Sequence, residues 1–296
     1  TCGGTEAMMA AVMATLNPHD KVAIFSPFYE NYGADAVLCG VEPIYVPLHE
    51  PDFSFDEKEL EQAFIQGAKA LILCNPSNPS GRVFSYEELS IIAKLVERYD
   101  AFVITDEVYE HIVFKPYKHT YFATLPNMRE RTVVCNSLSK TYSITGWRIG
   151  YVFSTPEVID RVRKVHDFLT VGAAAPLQEA IVAGLNLKDD YYRNLQEEYT
   201  HKRDIFLSGL DNIGLKYLKP QGSYFVLVDI SEFNYASDLD FCYDLAQYVK
   251  VGAVPGSSFF SDKNQKYIRF HFAKNENVLK SALLNLSTLR DKIKRQ

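Results

Sequence analysis

The sequence predicts an α/β fold, and three observations carry that expectation. Short apolar runs of strand length recur through the first half, at residues 21–25, 41–48, 68–74, 101–105 and 132–135. Between them lie stretches with helical spacing. In the clearest, Ser85 and Glu88 form a capping box and Leu89, Ile92, Ala93 and Val96 share one face. Finally, several apolar runs stop abruptly at polar or turn residues, and in open α/β sheets ligands sit at the C-terminal strand ends.

The chain of 296 residues is 47% hydrophobic and 23% charged, which allows two domains and a core of good size. A net charge of -6 and a pI near 5.7 argue against nucleic acid or an anionic membrane as main partner. No apolar run reaches membrane-spanning length, and no signal peptide opens the chain. The five cysteines are scattered and odd in number; three sit in apolar strand-like context and are expected as buried, reduced thiols of a cytoplasmic protein. The seven histidines show no metal-ligand spacing, so no metal is expected. Internal repeats and low-complexity segments are absent from the sequence.

Gly3-Gly4-Thr5 opens a helix that runs to about Leu16, where Asn17-Pro18 ends it. Backbone N–H groups at Gly4 and Thr5, with the positive end of the helix dipole, suit an anion. The strand at 21–25 leads to Ser26-Pro27-Phe28-Tyr29, and the strand-like run at 41–48 has Pro43 and Pro47 near its ends. The run at 68–74 stops at Asn75-Pro76-Ser77-Asn78-Pro79-Ser80-Gly81, a rigid turn. The strand at 101–105 ends in Asp106-Glu107-Val108-Tyr109. An aspartate there either caps a turn or offers a carboxylate to a ligand.

Ser137-Leu138-Ser139-Lys140-Thr141-Tyr142-Ser143-Ile144-Thr145-Gly146-Trp147-Arg148-Ile149-Gly150 joins two strand-forming runs. Lys140 is expected on a short loop between buried strands, where its charge is costly unless paired or neutralised. Condensation of its amine with an aldehyde removes that cost. Ser137 and Ser139 precede it, and the Arg148 fork follows; hydroxyls and a guanidinium suit a phosphate dianion. An amine for a carbonyl beside donors for a phosphate is a pyridoxal-phosphate site.

Thr155-Pro156-Glu157 then starts a helix with Val158, Val162, Val165 and Leu169 as its apolar stripe. A long polar helix over 191–210 should bridge to a second unit with elements at 222–230, 238–250, 253–256 and 266–272 and a C-terminal helix. The boundaries expected are 1–188 for the large domain and 189–296 for the small one. In Tyr267-Ile268-Arg269-Phe270-His271-Phe272, the alternation places Tyr267, Arg269 and His271 on the face opposite Ile268, Phe270 and Phe272.

The lysine stretch closely resembles that of class I/II aminotransferases, the fold type I pyridoxal-phosphate enzymes. The Asn-Pro-x-Asn-Pro-Ser-Gly turn matches that family's motif in full, and the likeness extends over essentially the whole chain. It implies a three-layer α/β/α large domain with a mixed, mostly parallel sheet, plus a smaller C-terminal α/β domain. Residue by residue, it implies that Lys140 is catalytic and binds the cofactor, and that Gly4, Thr5, Ser137, Ser139 and Arg148 form the phosphate cup. Tyr29 would stack on the pyridine, Asp106 would face its nitrogen, and Asn78 and Tyr109 would bond its phenolic oxygen. Asn78 and Arg269 would bind the substrate α-carboxylate. A buried carboxylate at the ring nitrogen keeps it protonated, and a protonated ring is the stronger electron sink.

The implied activity is transfer of an amino group between an α-amino acid and a 2-oxo acid, in a homodimer. The resemblance also implies a segment ahead of Thr1 with an N-terminal arm and a tyrosine that reaches the partner's site; a fragment and a chain lacking that segment are both open. The arginine that dicarboxylate-specific members carry near Ala173 is not seen, which weighs against strict aspartate specificity. Two alternatives share these residues: another fold type I enzyme, such as a C–S β-lyase or a cyclopropane-forming synthase, and a non-catalytic ligand-sensing domain of a regulator.

Overall fold

The computed structural model describes residues 1–293. Strands β1 (Lys21–Ser26), β2 (Glu42–His49), β3 (Ser54–Phe55), β4 (Ala68–Cys74), β5 (Phe102–Asp106), β6 (Thr132–Ser137) and β7 (Gly150–Phe153) make one seven-stranded sheet in the order β3-β2-β1-β4-β5-β6-β7. The central strands β2, β1, β4, β5 and β6 are parallel, and β3 and β7 pair antiparallel at the edges. Central β4 is buried on both faces through Ala70, Leu71, Ile72 and Leu73, which is why it reads as a continuous apolar run rather than an alternating one.

Helices α1 (Gly3–Thr15), α2 (Asn31–Leu38), α3 (Glu57–Ile65), α4 (Tyr86–Arg98), α5 (Leu138–Thr141), α6 (Pro156–Thr170) and α7 (Ala175–Leu185) belong to the same part of the chain. Leu71, Leu73 and Val103 pack with Leu60 and Phe64 of α3 and Leu89, Ile92 and Val96 of α4. Ala70, Ile72 and Ile104, on the opposite face, pack with α1 and with Val158 and Val162 of α6. The result is the three-layer arrangement expected. The capping box of α4 is present: Glu88 N–H donates to Ser85 Oγ at 3.2 Å, and Ser85 N–H donates to the Glu88 carboxylate at 2.9 Å. The apolar stripe of α6 falls short of expectation, since Leu169 is exposed. The last turn is tied down by polar contacts instead: the Glu6 carboxylate bonds His166 Nδ1 and Thr170 Oγ1, both at 2.7 Å.

The second sheet holds β8 (Tyr217–Leu218), β9 (Phe225–Asp229), β10 (Val254–Pro255) and β11 (Tyr267–His271), antiparallel in the order β10-β11-β9-β8. Helices α8 (Asp189–Ile213), α9 (Asp238–Asp244), α10 (Glu276–Leu286) and α11 (Leu289–Lys292) accompany it. Ile268, Phe270 and Phe272 do share the buried face, with Phe206, Leu207 and Leu210 of α8. The strand expected from 222 begins only at Phe225. A Cβ on Gly222 would lie 2.8 Å from Val83 and 2.9 Å from Pro76, so this segment is a close crossing rather than a sheet member. The helix expected over 238–250 divides into α9 and a π-helical turn, Leu245–Val249. Among the described residues no helix is long and apolar enough to cross a membrane. The five cysteines are free thiols; Cys135 and Cys242 are buried, and Cys2, Cys39 and Cys74 are only partly so.

Candidate active site

Parallel strands β1, β4, β5 and β6 end along one edge of the sheet. The segments after them, together with α1 and β11, enclose a cavity of about 290 Å³. All eleven sequence-predicted site residues lie in its wall. Tyr29 follows β1, Asn78 follows β4, Asp106 ends β5 with Tyr109 just beyond, and Ser137 ends β6. Lys140 sits on the helical turn α5 rather than on an open loop. Ser137 caps that turn, its Oγ accepting the Ser139 N–H at 3.2 Å, and this cap turns the chain tightly enough to bring Lys140 back over the strand ends.

One end of the cavity is built largely from backbone. Arg148 has a left-handed backbone (φ 54, ψ 54), and its guanidinium donates to the carbonyls of Thr145 at 3.1 Å and Cys2 at 3.4 Å. Gly3 has φ +80, and a Cβ there would lie 2.5 Å from Arg148 Nη2. A Cβ on Gly150 would lie 2.5 Å from the Gly3 carbonyl carbon. Ser137 Oγ donates to Ser139 Oγ at 2.8 Å. Gly4 and Thr5 complete this end.

The other end is built from side chains. Arg269 Nη1 donates to Asn78 Oδ1 at 2.6 Å, and its guanidinium lies between the rings of Phe225 and Phe259, 4.2 Å from each centroid. Burial pulls the pKa of this guanidinium down from its ordinary value. Between the two ends, Asp106 Oδ2 accepts from the Tyr32 hydroxyl at 2.6 Å and Oδ1 from the Val108 N–H at 3.2 Å. Burial raises the Asp106 pKa above the usual carboxylate range, while those two bonds oppose the rise. Burial likewise raises the hydroxyl of Tyr109, whose ring stands edge-on to Tyr224 at 5.1 Å. Tyr29 stands edge-on to Tyr32 at 5.6 Å, and Lys140 Nζ lies 5.8 Å from the centre of the Tyr224 ring.

Several wall residues were not singled out from sequence: Asn31, Tyr224 and Phe225, with Tyr32 and Phe259 directly behind. Only Tyr32 carried a local signal, in the aromatic cluster Phe28-Tyr29-Glu30-Asn31-Tyr32. Behind Asp106 the fold also gathers Glu107, Glu110 and His119, with ligand-type atoms within 4.8 Å of one another. The closest pair, Glu107 Oε2 and His119 Nε2 at 2.9 Å, is a buried hydrogen bond.

A family profile described as aminotransferase class I and II matches residues 1–285. The chain belongs to the class I and II aminotransferases. Among curated members, a methionine aminotransferase of Escherichia coli is 36% identical over 290 residues, covering 98% of this chain and 75% of that one. A probable kynurenine–oxoglutarate transaminase of Saccharomyces cerevisiae is 32% identical over 323 residues, covering 98% and 72%. Among solved aminotransferase structures, the N-succinyldiaminopimelate aminotransferase of Mycobacterium tuberculosis superposes with a TM-score of 0.94 at 34% identity, covering 98% of this chain and 76% of that one. An aspartate aminotransferase of Thermus thermophilus gives 0.90 at 29%, covering 98% and 75%. The aminotransferase fold and activity expected from the sequence therefore hold for this chain.

Proposed function

We propose that this aminotransferase works through pyridoxal phosphate held in the cavity, with Lys140 as the catalytic residue. The observation that carries the reading is the charge of the wall. Lys140, Arg148 and Arg269 face Asp106 as the single carboxylate among the described lining residues, and none of the three cations is ion-paired among the described residues. Lys140 and Arg269 are half-buried and Arg148 is exposed; half-buried cations without partners are costly unless an anion joins them. A phosphate dianion and a substrate carboxylate would supply the missing charge. The shape fits as well: only a glycine at position 3 lets the start of α1 lie against the Arg148 guanidinium, and only a glycine at position 150 lets β7 pass against Gly3.

At the Arg148 end of the cavity the N–H groups of Gly4 and Thr5, the hydroxyls of Ser137 and Ser139, and the Arg148 fork would hold the phosphate. Bound there, pyridoxal phosphate would supply an aldehyde that condenses with amines and a ring that withdraws electrons from the substrate Cα. Asp106 holds a proton at the ring nitrogen, and Tyr32 and Val108 keep its carboxylate aimed. Tyr29 covers a ring face, while Asn78 and Tyr109 serve the phenolic oxygen. Arg269 and Asn78 orient the α-carboxylate of either substrate. Lys140 Nζ takes the Cα proton and hands it on, as a general base and then an acid.

Residues 1–188 would carry the cofactor and 189–296 would bring Arg269 over it. Exposed Phe168, Val171 and Leu185 at the ends of α6 and α7 suit a homodimer interface, which light scattering would test. Free thiols suit a reducing, cytoplasmic setting. Borohydride treatment of the cofactor-saturated protein should fix cofactor mass to the peptide containing Lys140. Label on another lysine, or none, would end the reading.

A further inference from the structure

Asp35, on α2, is a buried carboxylate, 3% exposed, with no cationic partner among the described residues. Its two oxygens accept hydrogen bonds only from the Asn31 amide nitrogen, at 3.2 and 3.1 Å. Asn31 lines the cavity, and the next residue, Tyr32, donates to Asp106. Asn31 is therefore next in the chain to the residue that holds Asp106. A carboxylate can only accept, so the amide nitrogen must face Asp35. Oδ1 of Asn31 then has no partner among the described residues and is left for the cavity. An Asn–Asp pair one turn apart on a solvent face would be an ordinary helix contact. Here the acid is buried and its amide partner faces the cavity.

The surroundings make this placement costly. Burial pushes Asp35 up to about 7, against which the Asn31 bonds act. The titratable groups in reach are Tyr29 before the helix, Cys39 at its end and Cys135 of β6. Tyr45 of β2 packs on Gly33 of the same helix, and Met9 of α1 meets Cys39. None of these brings a positive charge. An apolar residue at position 35 would be cheaper to bury.

We propose that Asp35 is a positioning residue: through it the Asn31 amide presents its oxygen to the part of the cavity where the ring nitrogen would lie, as a second acceptor beside Asp106. This rests on the pyridoxal-phosphate reading above. With Asp35 ionised, the amide is locked. Once protonated, Asp35 can donate its O–H to Asn31 Oδ1, and the amide is free to turn its N–H groups towards the cavity. A donor there opposes a protonated ring nitrogen.

The test titrates the apoprotein with pyridoxal 5′-phosphate, read by quenching of Trp147, the one tryptophan and the neighbour of Arg148. Above the pKa of Asp35, Asp35→Asn should weaken binding on the order of tenfold, the loss of about one hydrogen bond. Below it, variant and wild type should bind alike. Asn31→Ala should weaken binding in the same way, and adding Asp35→Asn to it should do nothing more. Melting provides a control with a fixed sign. The folded state holds the Asp35 proton up to about 7 and the unfolded chain only to 3.8, so this group lowers stability as pH rises through that window. Asp35→Asn should therefore gain in melting temperature over wild type at alkaline pH. If Asp35→Asn folds poorly, Asn31→Ala alone carries the test, and it should abolish the difference from wild type below the pKa while keeping it above. Unchanged binding by Asp35→Asn above the pKa, or an undiminished effect of Asp35→Asn in the Asn31→Ala background, overturns the proposal. Binding lost in Asp106→Ala but untouched by either Asp35 or Asn31 overturns only this inference. Absence of binding by wild type takes the cofactor reading down with it.

Discussion

The two arginines at the ends of the cavity are held in opposite ways. Arg148 is exposed, sits on a left-handed backbone, and is oriented by two carbonyl oxygens. Arg269 projects from β11, is clamped between Phe225 and Phe259, and bonds the Asn78 amide. Carbonyls orient a guanidinium without neutralising it, and the neighbouring backbone N–H groups and hydroxyls add donors. That end suits a ligand that stays. Aromatic faces orient a guanidinium with little competition for its outward N–H groups. That end suits a carboxylate that enters and leaves at every turnover. The difference teaches that one charge type can serve permanent or transient binding, according to what holds it.

The largest expected effect falls between the two ends. Lys140→Ala should lower transamination on the order of 10⁴-fold while cofactor still binds, because the base is lost but both anion ends remain. Half-reaction rates with a single amino acid measure this; a loss of only a few-fold would put the proton transfer elsewhere.

Asp106→Ala comes next. Loss of a buried, charge-assisted bond to the ring should cost about 1.5–3 kcal/mol of cofactor binding, and the Cα proton-transfer rate should fall as well. Near-parental turnover in cofactor-saturated protein would contradict the electron-sink role.

Arg269→Lys and Arg148→Gln then separate the ends. Arg269→Lys should weaken amino-acid and 2-oxo-acid binding alike, by about tenfold or more, and spare the cofactor, since lysine cannot reproduce the fork. Arg148→Gln should do the reverse, with cofactor affinity reduced about tenfold and substrate KM nearly unchanged in saturated protein. Matching effects of both variants on cofactor and substrate would erase the distinction.

The smallest effect concerns the clamp. Phe259→Leu should raise substrate KM a few-fold, on the order of 1 kcal/mol, by loosening one face of Arg269 without removing its charge. A change in kcat alone would show that the ring does something other than orient the guanidinium.

Much of this was legible in the chain because strand-end chemistry is local. The turn from Asn75 to Gly81, the Asp106-Glu107-Val108-Tyr109 segment and the lysine stretch each carry their polar residues directly after an apolar run. The Ser137 cap, however, makes a helical turn where a loop was expected at Lys140. The strand expected from Gly222 was also misplaced, because a run of suitable residues does not show that a neighbouring backbone lies too close for a Cβ. Tyr224, Phe225 and Phe259 went unnoticed as site residues for a different reason. Aromatics in apolar segments look like core until their neighbour is known, and here the neighbours are cations: the Lys140 ammonium for Tyr224 and the Arg269 guanidinium for Phe225 and Phe259.

By itself, the sequence determined which chemical groups stand at the ends of the strands and where helices begin. Periodicity, caps and turns act over a few residues and need no knowledge of the rest of the chain. Tertiary structure decided the pairings. Asn78 meets Arg269 across 191 residues and Tyr32 meets Asp106 across 74, while Asp35 comes to rest where no cation among the described residues neutralises it. The energy of a charge depends on what surrounds it in space, and no local pattern encodes which distant segment the fold brings alongside.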